Sequence, residues 1–208
     1  MVNSMMDRAA QRLISPALQA AAAWLVRRGV SADQVTIFGF AIGMVGAGLV
    51  AAGQAQGALA LLLASRLADG LDGAVARATR PTDRGAFLDI TLDFVFYASV
   101  PLAFALADPA ANALAAAVLL AAFVGTGSSF LAYAVLAERR GLKSLAYPGK
   151  GLYYLGGLTE ATETLACFAL MCLWPAWFAP LALGFAALCT LTLLARLHAG
   201  WRRFGDPP

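Results

Sequence analysis

The 208 residues are 61% hydrophobic and only 13% charged, with a mean hydropathy of +0.73. An ordinary soluble domain carries about 45–50% apolar and about 25% charged residues, so that class is excluded and the chain reads as an integral membrane protein. The formal charge of +3 contains no single-sign run that would suit a nucleic-acid partner, and Cys167, Cys172 and Cys189 sit in apolar runs that make neither a disulfide framework nor a zinc cluster.

Met1 to Arg28 mixes charged and apolar residues and lacks the basic tip and apolar core of a cleavable leader. Ile14, Leu18, Ala21 and Leu25 recur at helical spacing, with Arg8, Gln11, Arg12, Ser15 and Gln19 on other faces, which predicts an amphipathic helix lying along the membrane surface within residues 1–30. Pro16 is a candidate kink, Gly29 suits the helix end, and Ser31 with Gln34 forms a candidate capping box at the start of the next helix. Apolar windows of about 20 residues, long enough to cross a bilayer as a helix, then fall at 34–53, 57–76, 86–107, 112–135, 152–173 and 177–197. Hydrocarbon offers backbone polar groups no partner, and these runs are too long and non-alternating for barrel strands. The expected fold is therefore all-α: six transmembrane helices over 31–200, the juxtamembrane helix before them and a short tail over 201–208.

Basic residues set the expected orientation. Arg8, Arg12, Arg27 and Arg28, then Arg77, Arg80 and Arg84, then Arg139, Arg140, Lys143 and Lys150, and finally Arg196, Arg202 and Arg203 all fall on one side of a six-span chain. The opposite connections, 52–57, 107–111 and 173–177, contain no Lys or Arg, which puts both termini and the charged loops of a multi-pass protein in the cytoplasm. Trp174 and Trp177 on one side, and Trp24 and Trp201 on the other, are placed as interfacial aromatics. Gly39, Gly43 and Ala47 form a small-residue stripe, and Gly156 and Gly157 lie in the fifth span; such residues admit close helix packing, within one protomer or across a homodimer.

The chemistry lies in the acids. Asp69, Asp72, Asp89, Asp93, Glu160 and Glu163 fall inside predicted spans, where a carboxylate persists only against a partner or a wet cavity. On a helix Asp69, Asp72, Gly73 and Ala76 share about a third of the circumference, and Asp89 and Asp93 are one turn apart. A loop of roughly ten residues containing Pro81 is expected to set the two helices antiparallel and side by side, so that four carboxylates converge. Hard oxygen ligands with no His or Cys suit Mg²⁺, Mn²⁺ or Ca²⁺, and the charge sum fits two divalent ions. With Arg77 beside them, and Gly73, Ala76 and Gly85 leaving the wall without bulk, the group reads as a diphosphate site.

The segment Asp69-Gly-Leu-Asp72-Gly73-Ala-Val-Ala76-Arg77, followed by Gly85, Asp89 and Asp93, resembles the DxxDGxxAR…GxxxDxxxD signature of the CDP-alcohol phosphotransferases. The surface helix and six spans resemble that family over essentially the whole chain. The stretches Gly125 to Tyr133 and Tyr153 to Glu160 are most similar to its small bacterial inner-membrane members. Seven residues, where eight are common, separate Arg77 from Gly85, and Ala32 and Asp33 precede Thr36 where many relatives have Pro and Asn. The resemblance implies transfer of a substituted phosphate from a CDP-linked lipid, CDP-diacylglycerol above all, to a small alcohol acceptor with release of CMP. It implies that Asp69, Asp72 and Asp89 ligand two ions, Mg²⁺ or Mn²⁺, with Asp93 contributing at the second ion and acting as general base. It assigns Asp69, Gly73, Ala76, Arg77 and Gly85 to the nucleotide. In-line displacement at phosphorus asks for the same division, with cations on the bridging and leaving oxygens and a carboxylate at the attacking hydroxyl.

The acceptor is less determined. Glu160 and Glu163, interleaved with Thr159, Thr162 and Thr164, read either as a polar pocket for it or as an ion pair with Arg66 tying spans two and five together. Arg139, Arg140, Lys143 and Lys150 read either as a clamp for a phosphorylated acceptor or as topology and lipid-headgroup residues. His198, the single histidine, reads as an interfacial residue. Two rival functions fit intramembrane acids: an aspartate-rich prenyltransferase, which needs no DGxxAR, and a transporter or scaffold, which would spread its carboxylates across the midplane.

Overall fold

A computed structural model describes residues 16–141 and 159–205. Ile14, Lys143, Lys150, Gly156, Gly157 and the last residues of the tail lie outside them. The described chain is helical almost throughout: α1 (16–27), α2 (Ala32–Ala51), α3 (Ala55–Ala78), α4 (Asp83–Ala107), α5 (Pro109–Arg139), α6 (Ala161–Leu173) and α7 (Phe178–Phe204), with a single 3₁₀ turn at Pro175–Trp177 before α7. By length and hydropathy α2, α4, α5 and the segment Pro175–Phe204 can each cross a bilayer. Helix α3 is as long, but carries Arg66, Asp69, Asp72 and Arg77.

Local signals explain the boundaries. Gly29 has φ +76°, its N–H bonds Val26 O and the Val30 N–H bonds Leu25 O, the paired bonds of a Schellman end to α1. The expected capping box opens α2: Ser31 Oγ accepts from Gln34 N at 3.3 Å and Gln34 Oε1 accepts from Ser31 N at 2.9 Å. Losing the Ser31 hydroxyl leaves one of those donors unsatisfied, so Ser31→Ala should lower stability by about 1 kcal/mol, read from thermal unfolding in detergent. A second Schellman turn at Gly53, φ +78°, reverses the chain into α3. Thr82 Oγ1 caps α4 by accepting from Gly85 N at 3.1 Å.

Three expectations change, and one open alternative is decided. Helix α1 buries Ala22, with Leu18, Leu25 and Val26, against Leu71, Ala74 and Val75 of α3, while Ala21 is exposed; the buried face is turned toward a neighbouring helix and not only toward lipid. Helices α3 and α4 do not lie side by side along their lengths: α2 packs extensively on both, and the acid-bearing helices splay apart around it. The reason is the Gly39–Gly43 stripe. A Cβ on Gly39 would sit 2.7 Å from Ala68 Cβ, and one on Gly43 2.6 Å from Ser65 Oγ and 2.7 Å from the Phe96 ring. The small-residue face is thus consumed inside the protomer. Finally, α6 starts at Ala161, so the expected span 152–173 is interrupted at 159–160, and residues 152–158 lie outside the described ones. Glu160 is its extended N-cap, and 13 residues rise only ~20 Å, less than the ~30 Å hydrocarbon core.

The apolar core fills the end of the bundle away from the charged connections. Phe96, Phe104, Phe168, Phe178, Leu62 and Leu119 are each under 2% exposed, and the Phe104 and Phe178 rings stack at 4.5 Å. Cys167, Cys172 and Cys189 are buried, free thiols. Trp24, Trp174, Trp177 and Trp201 are all exposed, as interfacial aromatics are. Gly125 and Gly127 of α5 admit Leu193 of α7 and Phe94 of α4, where a Cβ would collide with each.

Candidate active site

The acids occupy two depths. Asp69 lies nine residues before the end of α3 and Asp93 ten after the start of α4, so both sit ~15 Å below the α3–α4 turn, while Asp72 and Asp89 sit ~9 Å below it. Carboxylate oxygens of Asp69, Asp89 and Asp93 come within 4.8 Å of one another. These three acids, with Thr36, Ser65 and Arg66, line a void of about 10 Å³. Asp72 stands outside that trio. It is 5% exposed, and its Oδ2 is buried with no hydrogen-bond partner among the described residues.

Three clustered carboxylates repel unless something positive intervenes, and Arg66 does. Its Nη1 donates to Asp93 Oδ1 at 2.5 Å and to Asp69 Oδ1 at 3.4 Å, and its guanidinium lies 3.9 Å from the Phe96 ring centroid. Arg66 therefore pairs with the aspartates and is no partner for Glu160 or Glu163. The i,i+3 spacing of Arg66 and Asp69 signals half of this in the sequence; the cross-helix half depends on depth, which hydropathy does not report.

On the shallow side the cluster opens into a cavity of about 530 Å³ whose walls include Asp72, Gly73, Ala76, Arg77, Gly85 and Asp89. Every residue assigned to the nucleotide except Asp69 faces it. A Cβ on Gly73 would stand 3.2 Å from the Arg77 guanidinium, so glycine keeps that cation accessible. Across the mouth Arg84 Nε and Nη2 reach Asp33 Oδ2 at 2.8 and 2.6 Å, an ion pair joining the starts of α2 and α4. On the other side Asp93 also lines a second cavity, about 570 Å³, walled mainly by Phe94, Tyr97, Phe123, Phe130 and Leu131, with Glu160 at its polar end.

The remaining candidates separate. Glu160 and Glu163 form a capping box, Glu163 Oε2 accepting from Glu160 N at 3.0 Å; Glu160 reaches the second cavity, and Glu163 is not among its described walls. Arg139 is exposed at the end of α5, and Lys143 lies outside the described residues. Arg140 instead closes the end of α7, donating to Arg203 O and Phe204 O at 3.2 and 3.3 Å. Arg196 donates to Thr126 O at 2.9 Å, which joins α7 to α5 beside the second cavity, and His198 is exposed.

An acid-lined void beside a cation-rimmed polar cavity and an apolar one, in a helical membrane bundle, is arranged as the site of a membrane transferase. The chain belongs to the CDP-alcohol phosphatidyltransferase family, whose model matches residues 30–196, and it is a membrane enzyme of phospholipid synthesis. This membership sets aside the carrier and prenyltransferase readings. It is 50% identical over 197 residues to the inner membrane protein YnjF of Escherichia coli (strain K12), covering 95% of this chain and 96% of that protein. Its fold matches Mycobacterium tuberculosis phosphatidylinositol phosphate synthase (PgsA1). With CDP-DAG bound, that structure aligns at TM-score 0.70 and 24% identity, over 88% of this chain and 93% of the other. In complex with manganese and citrate, it aligns at TM-score 0.70 and 25% identity, over 88% of each.

Proposed function

We propose that this protein transfers a phosphatidyl group from CDP-diacylglycerol to an alcohol, releasing CMP, with divalent ions held by Asp69, Asp72, Asp89 and Asp93. The observation that carries the reading is the meeting of three carboxylates around an ion-sized void between two cavities of opposite character. The fit to a metal is specific. The donors are all hard oxygens, the void holds about one small ion, and the buried Oδ2 of Asp72 has no hydrogen-bond partner among the described residues. Bound Mg²⁺ or Mn²⁺ would supply positive charge to the bridging and leaving oxygens of the diphosphate. The CDP-DAG and manganese complexes of the mycobacterial synthase support the donor class and the metal.

The protein's own groups divide the remaining work. Arg77, rising beside Gly73, meets the diphosphate in the polar cavity, and Gly73, Ala76 and Gly85 let the nucleotide approach the backbone. Asp93 faces both the acid-lined void and the apolar cavity, so an acceptor hydroxyl entering by the latter meets it on the way to phosphorus. The new O–P bond forms, the P–O bond to CMP breaks and the hydroxyl proton passes to Asp93. Glu160, on the wall of that cavity, contacts the acceptor head group; Glu163 acts through its cap on α6, and Arg139, exposed at the end of α5, serves a phosphorylated acceptor together with Lys143, which lies outside the described residues. The positive-inside pattern supports a cytoplasmic site and cytoplasmic termini, at the level of lipid head groups, with 31–200 as the catalytic unit. A homodimer would be built on a face other than Gly39–Gly43.

The test is CMP release from CDP-diacylglycerol by detergent-purified protein across a panel of alcohols. Release is expected only with the matching alcohol, is abolished by EDTA and returns with Mg²⁺ or Mn²⁺. Folded protein that releases no CMP with any of them would overturn the assignment.

A further inference from the structure

We infer that Arg66 is a positioning residue for Asp93, a resident counter-charge inside the membrane that holds one oxygen of that carboxylate and leaves the other for the acceptor hydroxyl. The inference rests on the proposed transfer reaction for its kinetic half and on geometry alone for its metal-binding half.

Three independent observations carry it. The Arg66 side chain is only 10% exposed, and an arginine at this depth is retained only for a partner. Its guanidinium is fixed twice, edge-on by Asp93 Oδ1 at 2.5 Å and Asp69 Oδ1 at 3.4 Å and face-on by the Phe96 ring at 3.9 Å, so it has one place to be. Asp93 lies on the walls of both the acid-lined void and the apolar cavity, so its orientation decides which of the two it serves. Without a cation on Oδ1, Asp93 would give both of its oxygens to the ions it helps to hold and keep neither for the acceptor hydroxyl. Arg66 competes for that oxygen. A planar fork does this with geometry as well as charge, which a lysine ammonium does not.

The same counter-charge must weaken cation binding, and that gives a readout a structural role would not move. Removing a positive charge a few ångströms from three carboxylates should tighten Mn²⁺ binding by about tenfold, because charges this close and this poorly solvated interact strongly. In Arg66→Met, isothermal titration with Mn²⁺ should therefore show tighter binding, while kcat for CMP release falls by about 100-fold and KM for CDP-diacylglycerol shifts by less than about threefold, a loss confined to the acid–base step. Arg66→Lys keeps the charge and loses the fork, so Mn²⁺ affinity should stay within about twofold while kcat drops about tenfold. Unchanged or weaker Mn²⁺ binding in Arg66→Met overturns the inference. So does wild-type kcat in Arg66→Lys, the variant that decides if Arg66→Met does not fold. The titration uses metal alone, so it still judges Arg66 if no alcohol is ever turned over, an outcome that would count against the proposed reaction instead.

Discussion

Asp93→Asn is expected to lower CMP-releasing turnover by about 1,000-fold or more while CDP-diacylglycerol still binds, because the substitution removes a base and little else. The amide occupies the space of the carboxylate and its oxygen can still accept from Arg66 Nη1, so the contact of α4, through Asp93 and Phe96, with Arg66 of α3 should persist. The polar cavity, with Gly73, Arg77, Gly85 and Asp89 on its walls, does not include Asp93, so the donor keeps its contacts. Mn²⁺ should bind within about tenfold of wild type, since Asp69, Asp72 and Asp89 remain. Equilibrium binding of a labelled CDP-lipid beside single-turnover CMP release separates the two effects. Turnover near the wild-type rate would show that another group takes the proton; loss of donor binding in step with turnover would show that Asp93 builds the donor site.

Much of this site is legible in the sequence because its spacing is helical. Asp69, Asp72, Gly73 and Ala76 must share a face, as must Asp89 and Asp93, whatever else the chain does. Counting residues from Pro81 even gives the two depths, since each residue adds ~1.5 Å. What escapes is anything decided by a third helix. A four-residue turn between α3 and α4 suggests that they pack together, yet Gly39 and Gly43 let α2 press into both, and that opens the gap in which the carboxylates meet. Arg66 looks available to Glu160 because hydropathy places both inside spans without saying at what level. The start of α6 is hidden for a different reason: Glu160 and Glu163 read as pocket acids or as partners of Arg66, and only the extended backbone at Glu160 reveals that they cap a helix. On α1 the periodicity is right but its phase shifts by one residue, from Ala21 to Ala22, because Leu71, Ala74 and Val75 provide a second apolar surface that a lone helix does not reveal.

Gly43→Ala should impair both folding and chemistry, since one methyl group there reaches the site through two intermediaries. The new Cβ would lie 2.6 Å from Ser65 Oγ and 2.7 and 2.8 Å from two atoms of the Phe96 ring, distances that real contacts do not sustain. Phe96 has no exposed surface and no empty space to retreat into, so α2 must lift away from α3 and α4 or the ring must tilt. Overpacking of this kind costs about 1–3 kcal/mol. The ring is also the face on which Arg66 rests, and Arg66 holds Asp93, so a tilt loosens the carboxylate at the end of the series. Gly46→Ala is the control: its Cβ would meet Leu62 and Leu61 first, at 3.0 to 3.3 Å, farther along α2. Unfolding in detergent should rank Gly43→Ala below Gly46→Ala, and turnover per folded molecule should fall about tenfold in the first and stay at the wild-type level in the second. Equal turnover in both would mean that the Phe96 ring supports the bundle and transmits nothing to Asp93.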